Sequence, residues 1–323
     1  MPENKTMLYI YLIIFTSCLL VIIKSGALLV KTLVNISRYL KLSEYAIAFI
    51  LMALATSAPE LFIGLTSAMN KTPAVSLGNI IGANIINLTL ALGLVIIAAK
   101  GINITNQTAK KDAWIIFFLA LLPILLVFDG QLSRFDGLTL LLFFFWYISR
   151  LLKQREKFSK TLNSLKYDIS QFKIFMKNLG LFIVGLILLL AAAWGVVQTA
   201  SLIAKDLNLS LVFIGLVLVA LGTTLPEISF GFRSVLLKHE EMTLGNFIGS
   251  IAFNSLFILG LVALIHPIQV NNFSLIAVSA LFLTFSLIIF NIFIRTKERL
   301  SYQEGIIFLI IYGLFLTAEI LVR

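Results

Sequence analysis

Almost the whole chain is a succession of long apolar runs separated by short polar stretches. Runs such as 7–23 and 306–322 approach or reach the ~20 residues a helix needs to cross a hydrocarbon layer of ~30 Å. Splitting the runs at their polar punctuation predicts ten membrane-spanning helices, at roughly 8–38, 44–69, 73–98, 112–128, 135–152, 174–203, 210–236, 241–265, 271–293 and 303–321. The second, third, seventh and eighth carry Gly, Pro or polar residues in their interiors, and the others are plainer. The first run continues through Lys24 into 25–37 with no small-x-small cleavage site, so it reads as one long span rather than a leader. The expected fold is an all-α polytopic membrane protein.

Composition agrees with this pattern. The 323 residues are 60% hydrophobic and 12% charged, whereas soluble domains carry ~25% charged residues. The lipid bilayer is therefore the surrounding medium. The net charge of +10 does not point to nucleic acid, because its distribution matters more than its sum. One set of alternate loops and span ends holds 18 Lys and Arg: Arg38, Lys41, Lys100, Lys110, Lys111, eight in 150–177, Arg233, Lys238, Arg295, Lys297 and Arg299. The opposite set holds five: Lys5, Lys71, Arg134, Lys205 and Arg323. The positive-inside rule places the 153–173 linker in the cytoplasm and both termini outside it, with a plasma membrane the expected location. That linker reads as a solvated connector or a lipid-surface helix. The single cysteine, Cys18, excludes a disulfide framework and reads as a packing residue.

The chain repeats itself. At a constant offset of 167, Ala53 aligns with Ala220, Thr56 with Thr223, Pro59-Glu60 with Pro226-Glu227, Gly64 with Gly231, Leu77-Gly78-Asn79 with Leu244-Gly245-Asn246, Asn87 with Asn254 and Gly93 with Gly260. The organisation expected is a first repeat at 1–152 (motif 45–94), the linker 153–173, and a second repeat at 174–323 (motif 212–261). With five helices each, an odd number, the second repeat must enter the membrane inverted. Inverted repeats are a transporter architecture, with the site near the midplane between the copies.

The motifs 55-ATSAPE-60 and 222-GTTLPE-227 put proline and an acid inside apolar spans. Proline removes a backbone donor and clashes with the carbonyl four residues earlier, so both helices should kink or break. Carbonyls around Ala53 to Thr56 and Ala220 to Thr223 then become available as ligands, since irregular backbone survives in a membrane only beside protein or a water-filled cavity. A buried acid costs ~2.5–3.5 kcal/mol on insertion scales, so Glu60 and Glu227 predict a cation, with protonation or basic partners as the alternative. Lys24 and Lys31 are the only basic residues deep in a span. Asn79, Ala83 and Asn87 form a stripe at i, i+4, i+8, and Asn246, Ser250 and Asn254 form its counterpart. Carboxylates, amide oxygens and the hydroxyls of Ser57, Thr224 and Ser250 suit a hard cation such as calcium, and the absence of thiolate or imidazole argues against zinc and copper. His239 and His266 read as loop histidines. Gly78/Gly82 and Gly245/Gly249 are small-residue pairs for close helix packing. Asn84 lies off the stripe, opposite Ile251 in the second repeat, and reads as an interhelical hydrogen bond. Asp129-Gly130 and Asp136-Gly137 read as turn chemistry.

With 53-ALATSAPE-60, 78-GNIIGANIIN-87, 220-ALGTTLPE-227 and 245-GNFIGSIAFN-254, the chain resembles the cation/calcium antiporter superfamily, in particular its sodium/calcium exchanger branch. The paired 128-FDG-130 and 135-FDG-137 also look familial. The resemblance covers the membrane unit and implies sodium/calcium antiport by alternating access. It implies that Glu60 and Glu227 are the central acids and that the carbonyls of Thr56 and Thr223 complete a calcium site. It further implies that the Ala53 and Ala220 carbonyls with Ser57, Thr224 and Ser250 serve sodium, while Asn87 and Asn254 line the middle. Residue 254 is often Asp in that family, so Asn254 lowers the formal site charge to −2. Residue 83 is often Ser, so Ala83 removes a hydroxyl from a sodium position. Calcium/proton exchange on the same fold is the alternative. No nucleophile–base pair or histidine cluster occurs in the spans, so an enzyme is not expected. No cofactor is expected, the transported ions being Ca²⁺ and Na⁺ with H⁺ as the alternative; the sequence leaves the oligomeric state open, a monomer being compatible with it.

Overall fold

A computed structural model describes residues 2–71, 73–104, 107–153, 169–206, 220–270, 274–296 and 298–322. The chain is helical nearly throughout. The helices are α1 (Pro2–Leu40), α2 (Glu44–Ile47), α3 (Ala53–Thr56), α4 (Ala58–Met69), α5 (Ala74–Ile86), α6 (Leu92–Ala98), α7 (Gln107–Leu126), α8 (Arg134–Lys153), α9 (Ile169–Asp206), α10 (Ala220–Leu236), α11 (Glu240–Ala252), α12 (Leu259–Ile265), α13 (Ser274–Thr296) and α14 (Tyr302–Val322). Among the described residues, eight helices are long and apolar enough to cross a membrane, or nine when Glu44–Thr56 and Ala58–Met69 count as one bent span. Of the expected 210–236 span, α10 is the described part. The expected linker lies largely outside the described residues, and its last residues are already helical, because α9 starts at Ile169 rather than 174.

Among the described residues, three spans change winding in their interiors. π-helical turns occupy Ala48–Met52 between α2 and α3, Asn87–Ala91 between α5 and α6, and Phe253–Ile258 between α11 and α12. The last two begin within a residue of repeat-related positions. A π turn widens the helix and shifts the register of the side chains beyond it, and such turns collect at functional sites.

The two longest helices, α1 and α9, pair antiparallel. Cys18 faces Gly195, Leu28 and Leu29 face Gly185, Asn35 Nδ2 donates to Asn178 Oδ1 at 3.0 Å, and Tyr39 stacks on Phe175 with centroids 4.4 Å apart. Cys18 is thus a packing residue, as its isolation in the sequence suggested. With one face of residues 42–55, Phe230 and Met242, this pair forms an apolar cluster of its own, and the remaining spans share a second, larger one. Outward-facing Phe118, Leu142, Phe145, Trp146, Ile310 and Leu314 present apolar surface, as spans in contact with lipid require.

Short strands lock the span ends. β1 (Ile102–Asn103) pairs antiparallel with β4 (Arg299–Leu300), and β2 (Gln131–Leu132) pairs with β3 (Ile268–Gln269). Helices α8 and α14 open with matching capping boxes. Asp136 Oδ2 accepts from the Ser133 N–H at 2.8 Å, and Glu304 Oε2 accepts from the Ser301 N–H at 2.5 Å. The turn reading of Asp136-Gly137 is therefore corrected. Asp136 caps a helix, and Gly137 gives close packing, since a Cβ there would lie 2.8 Å from the Gly260 carbonyl oxygen. The reading holds at Asp129-Gly130, where Gly130 has φ +93° and Asp129 Oδ1 accepts from the Gln131 N–H at 3.1 Å. Asp112 on α7, fully buried, pairs with Arg150 on α8 at 3.1 Å, beside the buried rings of Tyr45 and Tyr147.

Candidate cation site

The Pro59 motif breaks its helix. Ser57 leaves the helical region at φ −82°, ψ 10°, and the two halves of the span meet at a bend of 49°. Pro59 has no N–H to give the Ala55 carbonyl, and the Ser57 N–H still donates to the Ala53 oxygen at 3.0 Å. The Ala53 carbonyl also has the Thr56 hydroxyl at 3.5 Å. Ser57 sits midway along 44–69, so the break falls at mid-span, as do the π turns at Asn87–Ala91 and Phe253–Ile258. Pro226, by contrast, lies inside the continuous helix α10. The expectation that both helices kink or break is met as a break at Pro59, whereas at Pro226 the helix is not interrupted; a proline removes one hydrogen bond and can bend a helix without ending it.

Both acids are buried, Glu60 at 2% and Glu227 at 1% exposure. Lys24 and Lys31 lie on the exposed face of α1, so the alternative that they neutralise these acids is not met. Thr56 links the two repeats. Its hydroxyl donates to the Met52 carbonyl at 3.1 Å, lies 3.3 Å from Asn246 Oδ1 and 3.5 Å from Ser250 Oγ, and interacts with the Glu227 carboxylate. Ser57, Thr224, Ser250, Asn87 and Asn254 are all buried, and so is Ala53. Ala220 and Thr223 contribute backbone to the first turn of α10.

Glycines bring these elements together. A Cβ on Gly245 would collide with the Tyr45 carbonyl oxygen, and one on Gly249 would lie 2.7 Å from that of Phe49. Helix α11 thus rests on the backbone of the first π turn and its flanks. That contact delivers Asn246 and Ser250 to Thr56. At Gly78 and Gly82 no described atom comes within 4 Å, and 212–219, most of the segment that repeat symmetry sets opposite them, lies outside the described residues.

The donor set is all oxygen. Ser57 Oγ, Asn87 Oδ1, Asn254 Oδ1 and Glu227 Oε2 are buried with no hydrogen-bond partner among the described residues. Each such orphan costs ~1–3 kcal/mol, and a cation offsets that cost. Among the described residues no group of three or more His, Cys, Asp and Glu gathers. His239 lies at the start of α11, 2.8 Å from Glu44, and His266 at the end of α12. Asn84 forms the expected interhelical hydrogen bonds, to Asn254 and Ser255. The π turns that carry Asn87 and Asn254 left no signal in residue spacing.

Fold and sequence together define a multi-pass integral membrane protein with a buried polar centre of carboxylates, amides and hydroxyls. Residues 10–153 and 177–321 match the family described as sodium/calcium exchanger protein, and the chain belongs to that family. It is 25% identical over 334 residues to the sodium/calcium exchanger MaX1 of Methanosarcina acetivorans, covering 92% of this chain and 95% of that one. It is 28% identical over 262 residues to the inner membrane protein YrbG of Escherichia coli, covering 78% and 79%. A solved structure of the sodium-calcium exchanger NCX_Mj soaked with Na⁺ and Sr²⁺ superposes with a TM-score of 0.82 at 26% identity, covering 95% of this chain and 97% of that one. The protein is a cation/calcium antiporter.

Proposed function

We propose that the chain exchanges sodium for calcium by alternating access around the site at Glu60 and Glu227. The observation that carries this reading is the meeting of the repeats at Thr56, where a hydroxyl of one half lies 3.3 Å from Asn246 Oδ1 and 3.5 Å from Ser250 Oγ of the other. Glu60 and Glu227 supply the charge, and the Thr56 and Thr223 carbonyls complete the calcium shell of six to eight oxygens. Ser57, Thr224, Ser250 and the Ala53 and Ala220 carbonyls serve sodium, and Asn87 and Asn254 line the middle. Two carboxylates balance one Ca²⁺. Three Na⁺ in the same place leave one positive charge, so exchange in that ratio carries current.

The architecture behind this reading is ten spans in two inverted repeats of five. Strand pairing supports it by parity. β2 and β3 must lie on one side of the membrane, so an even number of crossings separates residue 132 from residue 268. Helices α8 and α9 and the α11–α12 span supply three, and α10 belongs to the fourth. The antiparallel run of α1 against α9, first helices of their repeats, supports inversion. Their separate apolar cluster makes them the pair that slides against the rest. The charge asymmetry supports an orientation with both termini outside the cytoplasm, in a plasma membrane.

The test is ⁴⁵Ca²⁺ uptake into sodium-loaded proteoliposomes. Uptake should follow the outward sodium gradient, carry current and vanish in Glu60→Gln. Uptake that ignores sodium and follows a proton gradient would replace this reading with calcium/proton exchange.

A further inference from the structure

Asn84 has no counterpart in the second repeat, where Ile251 occupies the equivalent position. It is nevertheless buried at 1% exposure, and both ends of its amide cross between the repeats. Its Nδ2 donates to Ser255 Oγ at 2.8 Å, and its Oδ1 accepts from Asn254 Nδ2 at 3.1 Å. A primary amide is planar, with donors at one end and an acceptor at the other. Holding the Asn254 nitrogen therefore fixes where the Asn254 oxygen goes. That oxygen is buried and has no partner among the described residues, as is that of Asn87, its repeat equivalent.

Without Asn84, the Asn254 amide has two nearly isosteric orientations. In one it offers an oxygen to a cation, and in the other it offers two N–H groups that repel it. We propose that Asn84, itself held by Ser255, is a positioning residue that acts through Asn254 and keeps the oxygen of that amide on the ion. The proposal rests on the reading of the site given above. It accounts for a neutral amide serving at position 254, where a carboxylate, with oxygens at both ends, needs no such orientation. The ion–dipole attraction scales with the charge of the ion, so calcium should sense the loss of Asn84 more than sodium.

The experiment is equilibrium ⁴⁵Ca²⁺ binding to the purified protein, alongside the half-saturating Ca²⁺ and maximal rate of exchange in proteoliposomes. Asn84→Leu should weaken Ca²⁺ binding and raise half-saturation by about tenfold, the scale of one misplaced buried ligand. The maximal rate should change by less than about twofold. In an Asn254→Asp background the same substitution should cost less than about twofold, because both ends of residue 254 are then oxygens. Ser255→Ala should weaken binding in the same direction by a smaller factor. The inference is overturned if Asn84→Leu leaves Ca²⁺ binding unchanged. It is also overturned if the loss is equally large in both backgrounds, or if the variant is simply unstable in both, since packing alone would then explain it. Ca²⁺ binding without sodium-driven exchange in the wild-type chain would sink the transport reading and leave this one to be judged by binding.

Discussion

Gly249→Ala tests whether close helix contact sets the geometry of the site. The added methyl would sit 2.7 Å from the Phe49 carbonyl oxygen and 2.7 Å from the Ala53 Cβ. An ordinary contact begins at 3.4 Å, so α11 must retreat by the difference, about 0.7 Å. Neither neighbour can yield, because one is backbone and the other is a methyl fixed to it. Overpacking of this kind costs ~1–3 kcal/mol. The same retreat carries Ser250 and Asn246 away from Thr56, from which they stand 3.5 and 3.3 Å. In the proposed site Ser250 serves sodium and Asn254, in the π turn that continues α11, lines the middle. Calcium–oxygen distances span only ~2.3–2.6 Å, so a shift of this size should distort the site and weaken Ca²⁺ by about tenfold or more. Gly313→Ala is the control: nothing lies within 4 Å of its Cβ, and losing a helical glycine should stabilise by ~0.5–1 kcal/mol. Thermal melts in detergent and half-saturating Ca²⁺ in ⁴⁵Ca²⁺ exchange report the two effects. If Gly249→Ala kept wild-type half-saturation and stability, the contact at Phe49 could not be what brings the ligands together.

Three further sets of substitutions test the scaffold. Arg150→Met leaves Asp112 buried without its partner and should destabilise by ~2–3 kcal/mol, below the range for fully buried pairs because Arg150 is 31% exposed; adding Asp112→Asn should recover most of the loss in detergent melts. Ser133→Ala and Ser301→Ala each remove the hydroxyl of a capping box and should each cost ~1 kcal/mol, with the double substitution close to additive. Lys238 ends α10 at φ +63°, a conformation that strains any residue with a Cβ, so Lys238→Gly should raise the melting temperature through a gain of ~1 kcal/mol.

The acids, hydroxyls and asparagines of the centre were legible because burying polar groups in lipid is costly, which makes Glu60 or Asn87 conspicuous in an apolar run. The repeat was legible because ten aligned positions keep one offset. Helix winding was not legible: nothing in 87-NLTLA-91 or 253-FNSLFI-258 distinguishes a π turn from an α turn, since the widening is decided by what packs around it. The two Pro-Glu motifs read alike, yet only the first accompanies a break, and local sequence is too similar to account for the difference. Gly137 was misread for a related reason. An Asp-Gly pair is the same dipeptide in a turn and in a capped helix, and only the Gly260 carbonyl 2.8 Å from its Cβ position decides.

Symmetry and asymmetry divide between scaffold and chemistry. Gly93 meets the Gly305 carbonyl and Gly260 meets that of Gly137, each at 3.0 Å from the Cβ position. The capping boxes and the two strand pairs also occur once per side. On the alternating-access reading proposed above, a scaffold built of matched halves can present the α1–α9 pair to either face at similar energy. The departures from symmetry sit among the buried polar residues: Ala83 against Ser250, Asn84 against Ile251, and the break before Pro59 against the continuous helix through Pro226. Ion choice depends on ligand identity and on where each oxygen points, neither of which symmetry constrains. The repeats can therefore diverge at the centre while the frame around it stays paired.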